Sequence, residues 1–301
     1  MRPLQTLKQR LPGRGKRRAL AVLAVACLPL FAAVPASASK INKADFLRFI
    51  NCPIEAGKVC AYAETLKGEF KLGSKAVPVT VPVVIQGGLA ELGFGGDPLI
   101  APRFGAEELS KSAEPLPGGL TGLTEGIGGP VTATAELAGT AFIRPLGLGF
   151  AEGRAVVLPF KVHLENELLG PNCYVGSNAE PLVLNLTDGK TEPPAGVEPI
   201  SGAIGKNEGL DKGGIIAFFG NKLVDNTFAA PAATGCGTSP LLEPIVTALV
   251  NTDAGLPSAA GKNTAILEGN VFTTFSADVA KYDKQALKAK EKELAGKKAK
   301  H

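Results

Sequence analysis

The strongest constraint on this chain is a hydrophobic period of two. Between Val156 and Leu164 the apolar residues Val156, Leu158, Phe160, Val162 and Leu164 fall on one side of an extended backbone. Val77, Val79, Val81, Val83 and Ile85 repeat the pattern, as do Leu182, Leu184 and Leu186. Val131, Ala133, Ala135 and Leu137 alternate with Thr132, Thr134 and Glu136. Leu66 to Leu72 alternates apolar with charged residues, and Ala265, Leu267, Val271 and Phe275 follow less regularly. Gly214 to Phe219 is continuously apolar, as a central strand would be. With 37 Gly and 23 Pro among 301 residues, turns interrupt these runs often. The expectation is a mainly β chain, an antiparallel β-sandwich or barrel-like body.

Proline refines that picture. Pro78 and Pro82 share a parity, so both missing N–H donors face the same side of one extended run. This predicts an edge strand, while Pro159 marks either an edge or a bulge. One or two short helices are expected, over 42–51 and over Leu241 to Val250. In the second, Leu241, Leu242, Ile245, Val246 and Leu249 supply the apolar positions. The last segment, 281–301, is predicted to be a helical or disordered tail.

The N-terminus carries an export pattern. Residues 1–18 hold seven basic residues and no acid, residues 19–34 are apolar, and Ala36-Ser37-Ala38 offers small residues for cleavage. Residues 1–38 are therefore expected to be a signal peptide, and the protein to be secreted or held at the cell surface. Cys27 follows Ala24-Val25-Ala26, a faint lipoprotein pattern, but the apolar Leu28 to Phe31 argues against lipidation.

Charge changes sign along the chain. The tail, 281–301, has eight Lys and three acids, while 39–280 has 17 basic and 25 acidic residues. A net negative body disfavours nucleic acid as partner. The basic tail is expected either to meet anionic wall polymers or lipid headgroups, or to be solvated with no partner. Cys52, Cys60, Cys173 and Cys236 remain after cleavage, an even set that predicts two disulfides in an exported protein. Proximity favours Cys52 with Cys60, leaving Cys173 for Cys236.

Catalytic signals are sparse. His163 is the only His before His301, and no G-x-S-x-G is present. His163, Glu165 and Glu167 would project together from a continuing strand and could hold a cation, but the solvated face of an amphipathic strand is the expected reading. No catalytic, metal or cofactor residue is assigned, and no cofactor is expected. Absence of Trp disfavours a sugar-stacking groove. Residues 87–130 hold 12 Gly and five Pro together with Leu89, Leu92, Phe94, Leu99, Ile100 and Phe104. This segment either plugs one end of the sandwich or forms an apolar lid or contact surface.

Three stretches, LKGEFKLGSKAVPVTVPVVIQGGL, LGPNCYVGSNAEPLVLNLTDGKTEPP and GLPSAAGKNTAILEG, resemble a group of exported, uncharacterised actinobacterial proteins of unknown function. The resemblance covers most of 50–270 and implies export with a single β-rich domain over 39–280. It implies nothing about mechanism. The functional expectation is a non-enzymatic, envelope-associated structural or binding protein. The alternatives are a carrier of an apolar ligand or lipid, and a hydrolase with an unrecognised site.

Overall fold

The computed structural model describes residues 43–91, 96–120, 130–144, 148, 153–210 and 214–283. The expected signal peptide and most of the basic tail lie outside them. Among the described residues fourteen strands and two short helices follow in order, before a final helical stretch. Helix α1 is Lys43–Phe46, continued by a 3-10 turn at Leu47–Phe49. Then come β1 (Val59–Leu72), β2 (Lys75–Pro78), β3 (Val83–Leu89), β4 (Asp97–Pro98), β5 (Ala113–Pro115), β6 (Thr132–Leu137) and β7 (Phe142–Ile143). They are followed by β8 (Val156–Glu165), β9 (Tyr174–Val175), β10 (Leu182–Leu186), β11 (Lys206–Leu210), β12 (Ile215–Asp225) and β13 (Ala233–Thr234). Helix α2 (Glu243–Ala254) and β14 (Thr264–Phe275) complete the set, and residues 276–283 are helical.

Every strand pairing is antiparallel, and the strands form two sheets rather than a closed barrel. The first sheet runs β11-β12-β14-β1, with β2 and β3 both paired to β1 at its margin. The second is centred on β8. It runs β13-β9-β8-β6-β5, with β10 and β7 also on β8 and β4 on β7. The period-two reading of β8 holds residue by residue, since Val156, Leu158, Phe160, Val162 and Leu164 are all buried.

The Val77 to Ile85 run departs from expectation. It is two strands, β2 and β3, and the chain leaves the sheet between them at Val79 to Pro82. The margin position predicted from Pro78 and Pro82 is correct. The outer side of β3 is covered by the following segment, where Gln86 N–H donates to the Glu108 carbonyl and Ser110 N–H to Val84. Pro159 lies at neither an edge nor a bulge. Its carbonyl accepts the Ala138 amide, at the gap where the neighbour of β8 changes from β6 to β7. In an extended strand N–H and C=O of one residue point the same way, so its missing donor faces that gap.

A bulge explains why β1 breaks its own pattern. Its register against β14 shifts between Thr65 and Lys67. Before the shift Ala61, Ala63 and Thr65 face the second sheet, and after it Phe70 and Leu72 do. One extra residue exchanges the faces of everything beyond it. Leu66, the residue in excess, is exposed.

The first sheet is covered on both faces. One packs on the second sheet, where the Phe70 ring meets Phe160 edge-on at 5.3 Å and stacks on Phe228 at 5.7 Å. The other carries a smaller core of Phe46, Phe49, Ile215, Ala217, Phe272 and Val279. Tyr282, from 276–283, stacks on Phe46 at 4.4 Å. Cys52–Cys60 ties the α1 segment to β1, and Cys173–Cys236 ties the end of β9's loop to the segment before α2. Disulfides of this kind place the folded chain in an oxidising environment. Among the described residues no helix is long and apolar enough to cross a membrane.

Candidate functional site: a cavity between the sheets

The inner faces of the two sheets do not meet everywhere. Ala63, Phe70, Leu72, Val77, Ile85, Ala135, Leu223 and Leu267 point between the sheets yet keep accessible surface, and they surround a cavity of about 200 Å³. The second sheet supplies Ala133, Leu158, Phe160, Val162 and Leu184. Small residues make the room. Ala61 and Ala63 on β1, and Ala133 and Ala135 on β6, occupy inward positions where a larger side chain would reach across. Sheets packed through full-sized side chains stand about 10 Å apart with no void between them.

Magnitude decides whether such a space is a packing accident. At the roughly 24 cal/mol per Å³ of an enclosed void, leaving it empty costs up to about 5 kcal/mol, less to the extent that it opens to solvent. Net domain stabilities are only about 5–15 kcal/mol. Apolar cavities near 150 Å³ stay dry and accept a benzene-sized guest. The space is therefore large enough to take an apolar ligand and costly to leave unfilled.

Polar residues are a minority of the lining, namely Tyr62, Thr65, Lys75, Ser112, Glu114 and Thr273. Glu114 on β5 is buried, and its carboxylate accepts the amides of Thr80 at 3.0 Å and Val81 at 2.8 Å together with the Thr80 hydroxyl. One edge strand of the second sheet is thereby joined to the loop that divides the margin of the first. The opposite side is closed by backbone, where Thr187 and Val224 exchange amide hydrogen bonds as the chain passes from β10 toward β12. Lys75 also lines the cavity. Its ammonium pairs with Asp253 of α2 at 2.7 Å and donates to the Gly119 carbonyl at 3.1 Å.

The residues singled out by sequence are placed as follows. All four cysteines are paired, Cys52 with Cys60 and Cys173 with Cys236, so none offers a thiolate. His163 lies on the outer face of β8, between the lining residues Val162 and Leu164 but not itself in the lining, with Nδ1 3.9 Å from a Glu165 carboxylate oxygen. Its ring stacks on Tyr174 at 4.4 Å, and Nε2 lies 3.1 Å from the Pro171 carbonyl. Glu165 accepts the Thr134 hydroxyl and ends the strand, so Glu167 does not continue the row. Among the described residues no group of three or more His, Cys, Asp or Glu could hold a metal ion.

The 87–130 segment divides. Leu89 and Leu99 are buried, and Leu109, Leu116 and Leu120 line the cavity, so its described part serves as wall. Phe104 points outward, and Leu92 and Phe94 fall outside the described residues. Sequence reading missed the four alanines, Glu114 and Lys75. The available signal was Ala at the inward positions of β6, where strands usually carry branched or aromatic residues.

No protein-family model, curated protein or solved structure matches this chain. Functional argument therefore rests on the geometry of the cavity and its surroundings.

Proposed function

We propose that this protein is an exported, non-catalytic carrier that holds an apolar ligand between its two sheets. The observation that carries the reading is the cavity of about 200 Å³, walled mainly by Leu, Val, Ile, Phe and Ala. A purely structural or adhesive envelope protein, the first expectation from sequence, gains nothing from a void that subtracts up to about 5 kcal/mol from its stability. For a binder that cost is returned when the ligand enters, through apolar burial at roughly 25 cal/mol per Å². A hydrolase would need an activated nucleophile or acid–base pair at the cavity; its charged side chains, Lys75 and Glu114, are both engaged by neighbours, and no His is among the lining residues to activate the hydroxyls of Tyr62, Thr65, Ser112 or Thr273. Export is part of the proposal, resting on the N-terminal pattern and on the two disulfides.

Protein purified from its native source without detergent, measured by native mass spectrometry, tests the reading. A co-purifying apolar molecule released by organic solvent is the expected result. Repeated absence of any such molecule, together with failure of an apolar fluorescent dye to gain emission on mixing, would overturn it.

A further inference from the structure

Helix α2 inverts the usual arrangement of a surface helix, which turns charged residues to water. Val246, Val250 and Ala254 pack inward. The outward positions are Glu243, Pro244, Ile245, Ala248, Leu249 and Thr252, with Leu241 and Leu242 just before the first turn. Leu241 is 82% exposed and Ile245 59%. No Lys or Arg occurs from 237 to 261, and the only acids there are Glu243 and Asp253.

The row has a direction. Ile245, Leu249 and Asp253 are spaced by four and share one side of the helix. Asp253 ends the row in its ion pair with Lys75, and Lys75 lines the cavity. Ser74 reinforces the junction, its amide donating to the Ala254 carbonyl and its hydroxyl to that of Asp253. A mainly apolar track, with Glu243 at its outer end and no basic residue before Lys75, thus leads along the surface to the cavity margin. The helix itself is held rigidly, since Asn251 bonds both backbone groups of Ala233 and Thr247 bonds Cys236 beside the disulfide.

We infer that this face of α2 is a docking surface for the apolar layer of a lipid membrane, through which the cavity is loaded or emptied. Naming the membrane as the ligand's source rests on the carrier reading above. Size and charge select the occupant. The exposed apolar side chains present on the order of 400 Å², well above scattered single residues, and only half of the roughly 800 Å² that each partner covers in a stable protein interface. Without basic residues the face has no attraction for an acidic polymer or for nucleic acid. Leu and Ile without charge suit partial insertion among acyl chains.

Vesicles of zwitterionic phosphatidylcholine at high salt separate this face from any action of the lysine tail. The full mature chain is expected to float with them, and the double variant Ile245→Glu, Leu249→Glu to partition roughly a hundredfold less, as loss of two inserted aliphatic side chains requires. Both positions are exposed, so an unchanged thermal midpoint is expected to show the variant folded. Equal partitioning of the two proteins, or no flotation of the unaltered chain, would overturn the inference. So would sedimentation showing a dimer that the double variant dissolves, because the row would then be a self-interface. Dye uptake in vesicle-free solution is read separately. If it fails while flotation still depends on Ile245 and Leu249, the carrier reading falls and the docking surface stands.

Discussion

The carboxylate of Glu114, on the edge of one sheet, accepts the amide hydrogen of Thr80, in the loop dividing the margin of the other, at 3.0 Å. Its second bond, to Val81, makes this one acidic side chain the polar tie across that side of the cavity. Removing it strands two amides with no carboxylate to receive them. Glu114→Ala is expected to lower stability by about 2–3 kcal/mol, the cost of losing charge-assisted bonds from a buried site. Glu114→Gln is expected to lose less, since its amide oxygen still accepts. Urea midpoints of the three proteins check the order.

Filling the cavity separates a binding site from ordinary packing. In a close-packed core an added side chain costs typically about 1–3 kcal/mol through strain. Ala63→Leu combined with Ala135→Leu is expected instead to hold or raise the thermal midpoint while abolishing dye uptake, because both positions border empty space. A falling midpoint with dye uptake retained would refute the assignment of these alanines.

Asp188 gives a pH signature. Both of its carboxylate oxygens are buried away from other residues' donors, and burial pushes its pKa above the usual aspartate value, offset only in part by its own backbone amide. The folded state therefore keeps this proton to higher pH than the unfolded chain does. Stability is lost as pH rises from the ordinary carboxylate range through the raised folded value. Asp188→Asn is expected to be more stable than the unaltered chain at pH 7, with the difference vanishing below about pH 4. Paired denaturant titrations across that range measure it.

The two disulfides are unequal. Cys173–Cys236 closes a separation of 63 residues and Cys52–Cys60 one of 8. Loop-closure entropy assigns about 4 kcal/mol to the longer and about 2.5 kcal/mol to the shorter. Paired Cys→Ser variants are expected to follow that order in calorimetric midpoint. The longer bridge also anchors the segment before α2, so its loss is expected to raise hydrogen exchange at the amides of Val246 and Val250 first.

Period-two alternation is a local property, and it was legible wherever a strand keeps one face dry. Val156 to Leu164 and Leu182 to Leu186 fold as their spacing dictates. The cysteine pairing followed from count and proximity. At Leu66 the reading failed, because a bulge reverses parity without a local signature other than the neighbouring glycines. It stopped short at α2. There the five apolar residues located the helix but not its inner face: Leu241, Leu242, Ile245 and Leu249 are exposed and Val246 is buried. Spacing shows which residues share a side, and only the packing partner shows which side is turned in.

Sequence alone determined that this chain forms short antiparallel strands joined by Gly and Pro turns, with two cross-links. Those outcomes depend on side-chain period, backbone freedom and cysteine count, all of which operate between near neighbours. Tertiary structure decided that four alanines from β1 and β6 leave a cavity, that Glu114 ties one side of it, and that the row on α2 ends at Lys75. Each of these joins residues far apart in the chain. A void is the absence of a contact between distant strands, and no local pattern encodes a distance across two sheets.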